Sequence, residues 1–138
     1  MSAILQPVIA LVLWSLVMLV WLYVKRLPAI AKHKIAYDPQ KPPSAFIDQI
    51  PARDNWPAQN YNHLMEQPTL FYAVALTIAL MGAADSTSIW LAWAYVGLRV
   101  IHSLVQAAAN IVGIRFLVFS LSSLVLAILS VKAALIVF

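Results

Sequence analysis

Residues 3–24 run for 22 positions without a formal charge. At 1.5 Å per residue a helix over that run is about 33 Å long, enough to cross a hydrocarbon core of roughly 30 Å. A surface helix of a water-soluble domain needs a polar face, and this run has none. The remainder of the chain agrees: of 138 residues, 63% are hydrophobic and 10% charged. That is too little charge to cover a wet surface, and there is no long polar tract of the kind a disordered chain carries. Ala29-Ile30-Ala31 imitates a signal-peptide cleavage site, but the basic stretch expected before a secretory apolar run is missing. The run therefore reads as membrane helix one of a single membrane domain.

Between 25 and 58 the composition changes, with six of the eight prolines and nine of the fourteen charged residues. Prolines lack an amide donor and disfavour helix at the preceding residue, so this stretch reads as a turning loop with room for one short helix. Further apolar segments follow at about 60–84, 86–110 and 114–137, and Asp85 or Ser86 is placed to cap the third helix. The expected fold is all-α, an integral membrane four-helix bundle. Lys25, Arg26, Lys32, Lys34, Lys41 and Arg53 all lie in loop 25–58, whereas the connection around Asp85 has no Lys or Arg. The positive-inside rule then puts that loop in the cytoplasm and both termini on the opposite side.

Composition also excludes chemistry. With no cysteine there is no disulfide, no thiolate metal ligand and no protein sulfur nucleophile, so sulfur chemistry would need a borrowed thiol. The three histidines at 33, 63 and 102 are too scattered for a metal site. A net charge of +4 in so apolar a chain fits cytoplasmic loop anchors and a lipid bilayer partner rather than nucleic acid.

Two polar stripes interrupt the apolar segments. Arg99, His102, Ser103, Gln106 and Asn110 stand at offsets 0, 3, 4, 7 and 11, one face of a helix. Gln59, Asn62, His63 and Glu66 stand at offsets 0, 3, 4 and 7 in the second segment. Polar groups in lipid must face the bundle interior, another subunit or a wet cavity. Glu66 is the only acid within an expected helix, so it is expected beside Arg99, directly or through His102 or Gln106. One reading is a structural ion pair. The other is one wall of an anion site, to which Arg115 adds a second permanent cation. Trp14, Trp21, Tyr23, Trp90, Trp93 and Tyr95 read as an interfacial belt, and Ser120, Ser122 and Ser123 as bonds across helices.

The run from Asn60 to Ala73, with its glutamate at 66 followed by Pro68, Leu70 and Phe71, resembles the helix-two pattern of the bacterial-type branch of the MAPEG superfamily, the membrane-associated proteins of eicosanoid and glutathione metabolism. Arg99, His102 and Arg115 are similar to the helix-three arginine and histidine and the later arginine of its microsomal glutathione transferases. The resemblance implies a four-helix protomer, a homotrimer and glutathione sites between subunits near the cytoplasmic face. It implies that Arg115 stabilises the glutathione thiolate and that Glu66, Arg99, His102, Gln106, His63 and Asn62 help bind the tripeptide. The implied activity is a glutathione-dependent transferase or peroxidase for lipophilic electrophiles. Gln59, His63 and Gln106 stand where the eukaryotic enzymes have arginine, asparagine and tyrosine. That difference keeps open a non-catalytic MAPEG-fold protein that binds a lipid or other hydrophobic small molecule, or serves a larger membrane complex.

Overall fold

Helix α1 spans Leu5–His33 in the computed structural model, which describes residues 3–138. The sequence suggests an end near 24, but Lys25, Arg26, Leu27 and Ala29 are good helix formers and Pro28 is accommodated within the helix. The helix stops at Lys34, left-handed at φ 49°, where the amides of Lys34 and Ile35 both reach the Ile30 carbonyl. Lys32 and His33 in the last turn complement its negative end. At about 43 Å, α1 outruns the hydrocarbon layer, so its basic last turns lie beyond the apolar run.

The expected loop over 25–58 holds more structure than one short helix. Helix α2 is Pro43–Ile47 and helix α3 is Ala52–Leu64. Pro43 begins α2 where its missing amide costs nothing. The buried Asn55 side chain ties the two together, donating to the carbonyls of Ile47 at 3.1 Å and Ile50 at 3.5 Å.

The apolar segment over 60–84 is not one helix. It divides into the end of α3 and helix α4, Pro68–Leu80, with a turn at 65–67. The cause is Pro68, whose ring would clash with the carbonyl four residues back, that of Leu64, where α3 ends. The chain leaves α4 through Gly82 at φ +64°, with the Ala83 amide on the Ile78 carbonyl at 3.1 Å. Helix α5, Ser86–Leu104, starts at the expected cap, Asp85, whose carboxylate accepts from the Ser88 amide at 2.8 Å. A π turn at Val105–Ala109 and the left-handed Asn110 lead into helix α6, Val112–Val137.

Helix α1 packs along α3 and α5, α5 along α6, and α4 against α1 and α6. Leu11, Met18, Leu64, Phe71, Ile78, Tyr95 and Leu129 form the shared core. The outer faces carry Leu13, Val17, Val24, Leu117, Leu124 and Leu135, all exposed, as a lipid-bathed surface requires. Among the described residues, three helices are long and apolar enough to cross a membrane: α1, α5 with its π turn, and α6. The expected fourth span is the divided one, and α3 or α4 alone, at 13 residues or about 20 Å, is too short to cross.

One ion pair closes the end of the bundle where α5 begins, Lys132 Nζ on Asp85 Oδ2 at 3.1 Å. The Ser88 amide, then the Ser88 hydroxyl nearby and Lys132, hold the Asp85 carboxyl at about 2, below its ordinary 3.8. A carboxyl depressed on folding stabilises fully above its unfolded value and loses that contribution as pH falls through the folded one. Asp85→Asn is therefore expected to lower Tm in detergent at neutral pH, and its deficit should shrink between about pH 4 and about pH 2. Asp85→Ala, which also removes the cap, should melt lower still, read by circular dichroism.

Candidate functional site

Helix α5 turns its polar stripe inward. Arg99 and Ser103 are fully enclosed, and His102 and Gln106 are only 2% exposed. The facing element is α3, which supplies Asn60, also fully enclosed. Its Nδ2 donates to Gln106 Oε1 at 3.0 Å and lies 3.4 Å from His102 Nδ1. The His63 ring meets the His102 ring edge-on, centroids 5.8 Å apart.

The α3 face differs from the expected one by one position. Gln59 and Asn62 are exposed, and Asn60, next to Gln59, is the residue that faces α5. Because α3 begins at Ala52, Asn60 sits well inside a helix rather than at its start. Its three-residue spacing from His63 is the signal that locates it. Glu66 falls in the turn that Pro68 creates, is largely exposed, and lies 3.7 Å from His63 Nδ1. It forms no ion pair with Arg99 among the described residues, although it is near enough to act on that guanidinium through space. The link between acid and guanidinium runs from Glu66 to His63 to His102, one helical turn from Arg99.

Arg99 is the outlier in this network. None of its three guanidinium nitrogens has a hydrogen-bond partner among the described residues, and its Cζ stands 5.9 Å from the Phe119 ring centroid, within cation–π range. A buried charge with only a ring face for company bears most of its desolvation cost uncompensated.

Beside it opens a cleft of about 180 Å³ lined by His63, His102, Val112, Arg115, Phe116 and Phe119. Its polar lining is one guanidinium and two imidazoles, without a carboxylate, and its other walls are apolar. Arg115 stands in the first turn of α6, where there is no acid and the helix presents its positive end. Nη1 of Arg115 donates to Asn110 Oδ1. Such a cleft suits an anion attached to an apolar body.

Three further polar residues join the start of α4 to α5 and α6. Tyr95 Oη donates to Gln67 Oε1 at 3.1 Å, and Gln67 Nε2 donates to Ser123 Oγ at 2.8 Å. Tyr95 is thus no interfacial belt residue: it is fully buried and stacked on Phe71 at 4.6 Å between centroids. Of the serines expected to bond across helices, Ser123 does so, while the Ser122 and Ser123 hydroxyls both donate back to the Phe119 carbonyl.

The MAPEG family profile matches residues 4–135, nearly the whole chain. The chain belongs to the MAPEG family. Membership makes it an integral membrane protein of the glutathione and eicosanoid metabolism superfamily, in keeping with its three membrane-length helices. No curated protein and no solved structure matches the chain. In this MAPEG protein Arg99, His102 and Arg115 come together around Phe119, but of the expected site residues only His63, His102 and Arg115 line the cleft, and Arg99, Gln106, Asn62 and Glu66 do not.

The two kinds of buried polar group predict opposite responses. Asn60→Leu strands the Gln106 carbonyl oxygen and should destabilise the protein by about 1 kcal/mol. Arg99→Met removes an unpartnered charge at similar volume and should raise the Tm of ligand-free protein. Thermal melts of both variants in one detergent check the pair of signs.

Proposed function

We propose that this MAPEG protein is a membrane-bound, glutathione-dependent transferase or peroxidase acting on lipophilic electrophiles. The observation that carries the reading is the cleft that joins Arg115, His63 and His102 to apolar walls without a carboxylate. Glutathione would supply the thiol that a cysteine-free chain lacks. The residues of this chain would bind and orient it. Arg115 and the positive end of α6 favour the anion over the neutral thiol, and the thiolate is the nucleophile. Arg99, whose guanidinium nitrogens lack hydrogen-bond partners among the described residues and would have to be uncovered by the ligand, and Glu66, at the turn, would take the charged ends of a zwitterionic tripeptide. His102 and Gln106, held by Asn60, orient it, and His63 and Asn62 complete the binding set. The apolar walls of Val112, Phe116 and Phe119 receive the electrophile.

In this reading the protein is a homotrimer with its sites between subunits. The segments α3 and α4 together complete a fourth crossing, and loop 25–58 faces the cytoplasm with both termini opposite. The cluster of six Lys and Arg in that loop supports the orientation.

A second reading has one observation in its favour. Gln106, where the family's transferases carry tyrosine, is already engaged by Asn60, as a structural residue would be. On that reading the protein is non-catalytic and holds a lipid or docks on a membrane complex. Native mass spectrometry from mild detergent separates the two, since a retained lipid or partner favours the second.

Isothermal titration of purified protein with millimolar glutathione should give saturable heat, and glutathione at 100-fold over its Kd should stabilise the fold by about 2.7 kcal/mol. Arg115→Leu should remove the thiolate absorbance and slow conjugation of an apolar electrophile by about 10²–10³-fold, the loss expected for one donor to developing charge. No heat and no thiolate signal in the wild-type protein would refute the proposal.

A further inference from the structure

Arg115 follows an irregular joint between α5 and α6. The Asn110 amide donates to the Val105 carbonyl, five residues back, at 2.5 Å, closing the π turn. One extra residue in a turn rotates everything after it by about 100° relative to a continued α-helix. Asn110 is itself left-handed, at φ 51° and ψ 43°. Glycine is the ordinary residue at such a helix end and asparagine the next. Asparagine supplies what glycine lacks, an oxygen that accepts a hydrogen bond from Arg115 Nη1.

We propose that Asn110 is the positioning residue for Arg115, a neutral acceptor that aims the guanidinium at the cleft shared with His63 and His102 without cancelling its charge. The value of that aim for catalysis rests on the glutathione reading above. Charge selects the residue type. An unheld arginine spreads over many rotamers, whereas an aspartate would hold it and neutralise the site. The titratable groups facing the guanidinium are His63 on α3 and His102 on α5, with Glu66 3.7 Å beyond His63. No carboxylate lines the cleft among the described residues, so Asn110 is the residue through which the positive charge there is both fixed and preserved.

Wild-type protein, Asn110→Gly and Asn110→Asp test this with three readouts. Phenylglyoxal modification of Arg115, followed by mass spectrometry, reports without any ligand how firmly the side chain is held. Thiolate absorbance of added glutathione against pH reports the charge delivered, and thermal melting reports the backbone. Glycine keeps the left-handed backbone, so Asn110→Gly should melt close to wild type. It should nevertheless modify about tenfold faster at Arg115 and raise the ionisation midpoint of the bound thiol by about one pH unit, a tenfold loss of thiolate at fixed pH. Asn110→Asp should protect Arg115 from modification and raise the midpoint further, because its carboxylate repels the thiolate. A wild-type modification rate and pH profile in Asn110→Gly would overturn the inference. Should the glycine variant fail to fold, an unchanged midpoint in Asn110→Asp overturns it equally. A difference in modification rate with no thiolate in wild type would overturn the glutathione reading while supporting the hold of Asn110 on Arg115.

Discussion

A guanidinium enclosed in a lipid-bathed bundle sets the terms for the elements around it. Lipid offers no hydrogen bonds, so every polar side chain on a membrane helix has to find its partners inside. Arg99 pulls the whole face of α5 inward with it, and His102, Ser103 and Gln106 follow because they share that face. The demand passes to α3, which answers with Asn60, and to α6, which answers with the Phe119 ring. The outside is left to leucine and valine. What results is a bundle with a polar network buried at the end where α5 gives way to α6.

The polarity of α5 was legible because its 3.6-residue period runs unbroken from Arg99 to Gln106, and Asp85 was legible as a cap because a short carboxylate before an apolar run has few other uses. The face of α3 was less so. Reading Gln59, Asn62, His63 and Glu66 as one stripe assumes a helix through 66, and Pro68 ends the helix at Leu64 by steric clash with its carbonyl. Glu66 then drops into the turn and meets His63 instead of Arg99. Gln59 and Asn60 are neighbours in sequence and about 100° apart on the helix, so a small error in the inward direction exchanges one for the other. Tyr95 was misplaced for a different reason. A tyrosine satisfies an interfacial belt and a buried hydrogen bond equally well, and only its stack on Phe71 and its bond to Gln67 decide between them. The π turn leaves no mark at all, since Val105-Gln106-Ala107-Ala108-Ala109 would serve an α-helix as well.

The two ends of the bundle are built to different standards. Where α5 begins, a capping carboxylate has its amide and its lysine, and the Ser88 hydroxyl is left without a hydrogen-bond partner among the described residues. Arg115 stands 17 residues before Lys132 on α6, about 26 Å away by helix rise, and at that end satisfaction is incomplete. Three Arg99 nitrogens, the Asn60 carbonyl oxygen and the Ser103 hydroxyl lack partners among the described residues. The backbone there is strained as well, with a π turn and a left-handed asparagine. Orphaned donors and strained backbone lower stability, and they persist only where the rest of the fold can carry them. The well-capped end and the Leu11–Met18–Phe71–Leu129 core supply that support. A bundle designed for stability alone would replace Arg99 with an apolar residue and continue α5 without the extra residue. Both departures place a guanidinium near Phe119, Arg99 over its ring and Arg115 on the cleft that the ring lines.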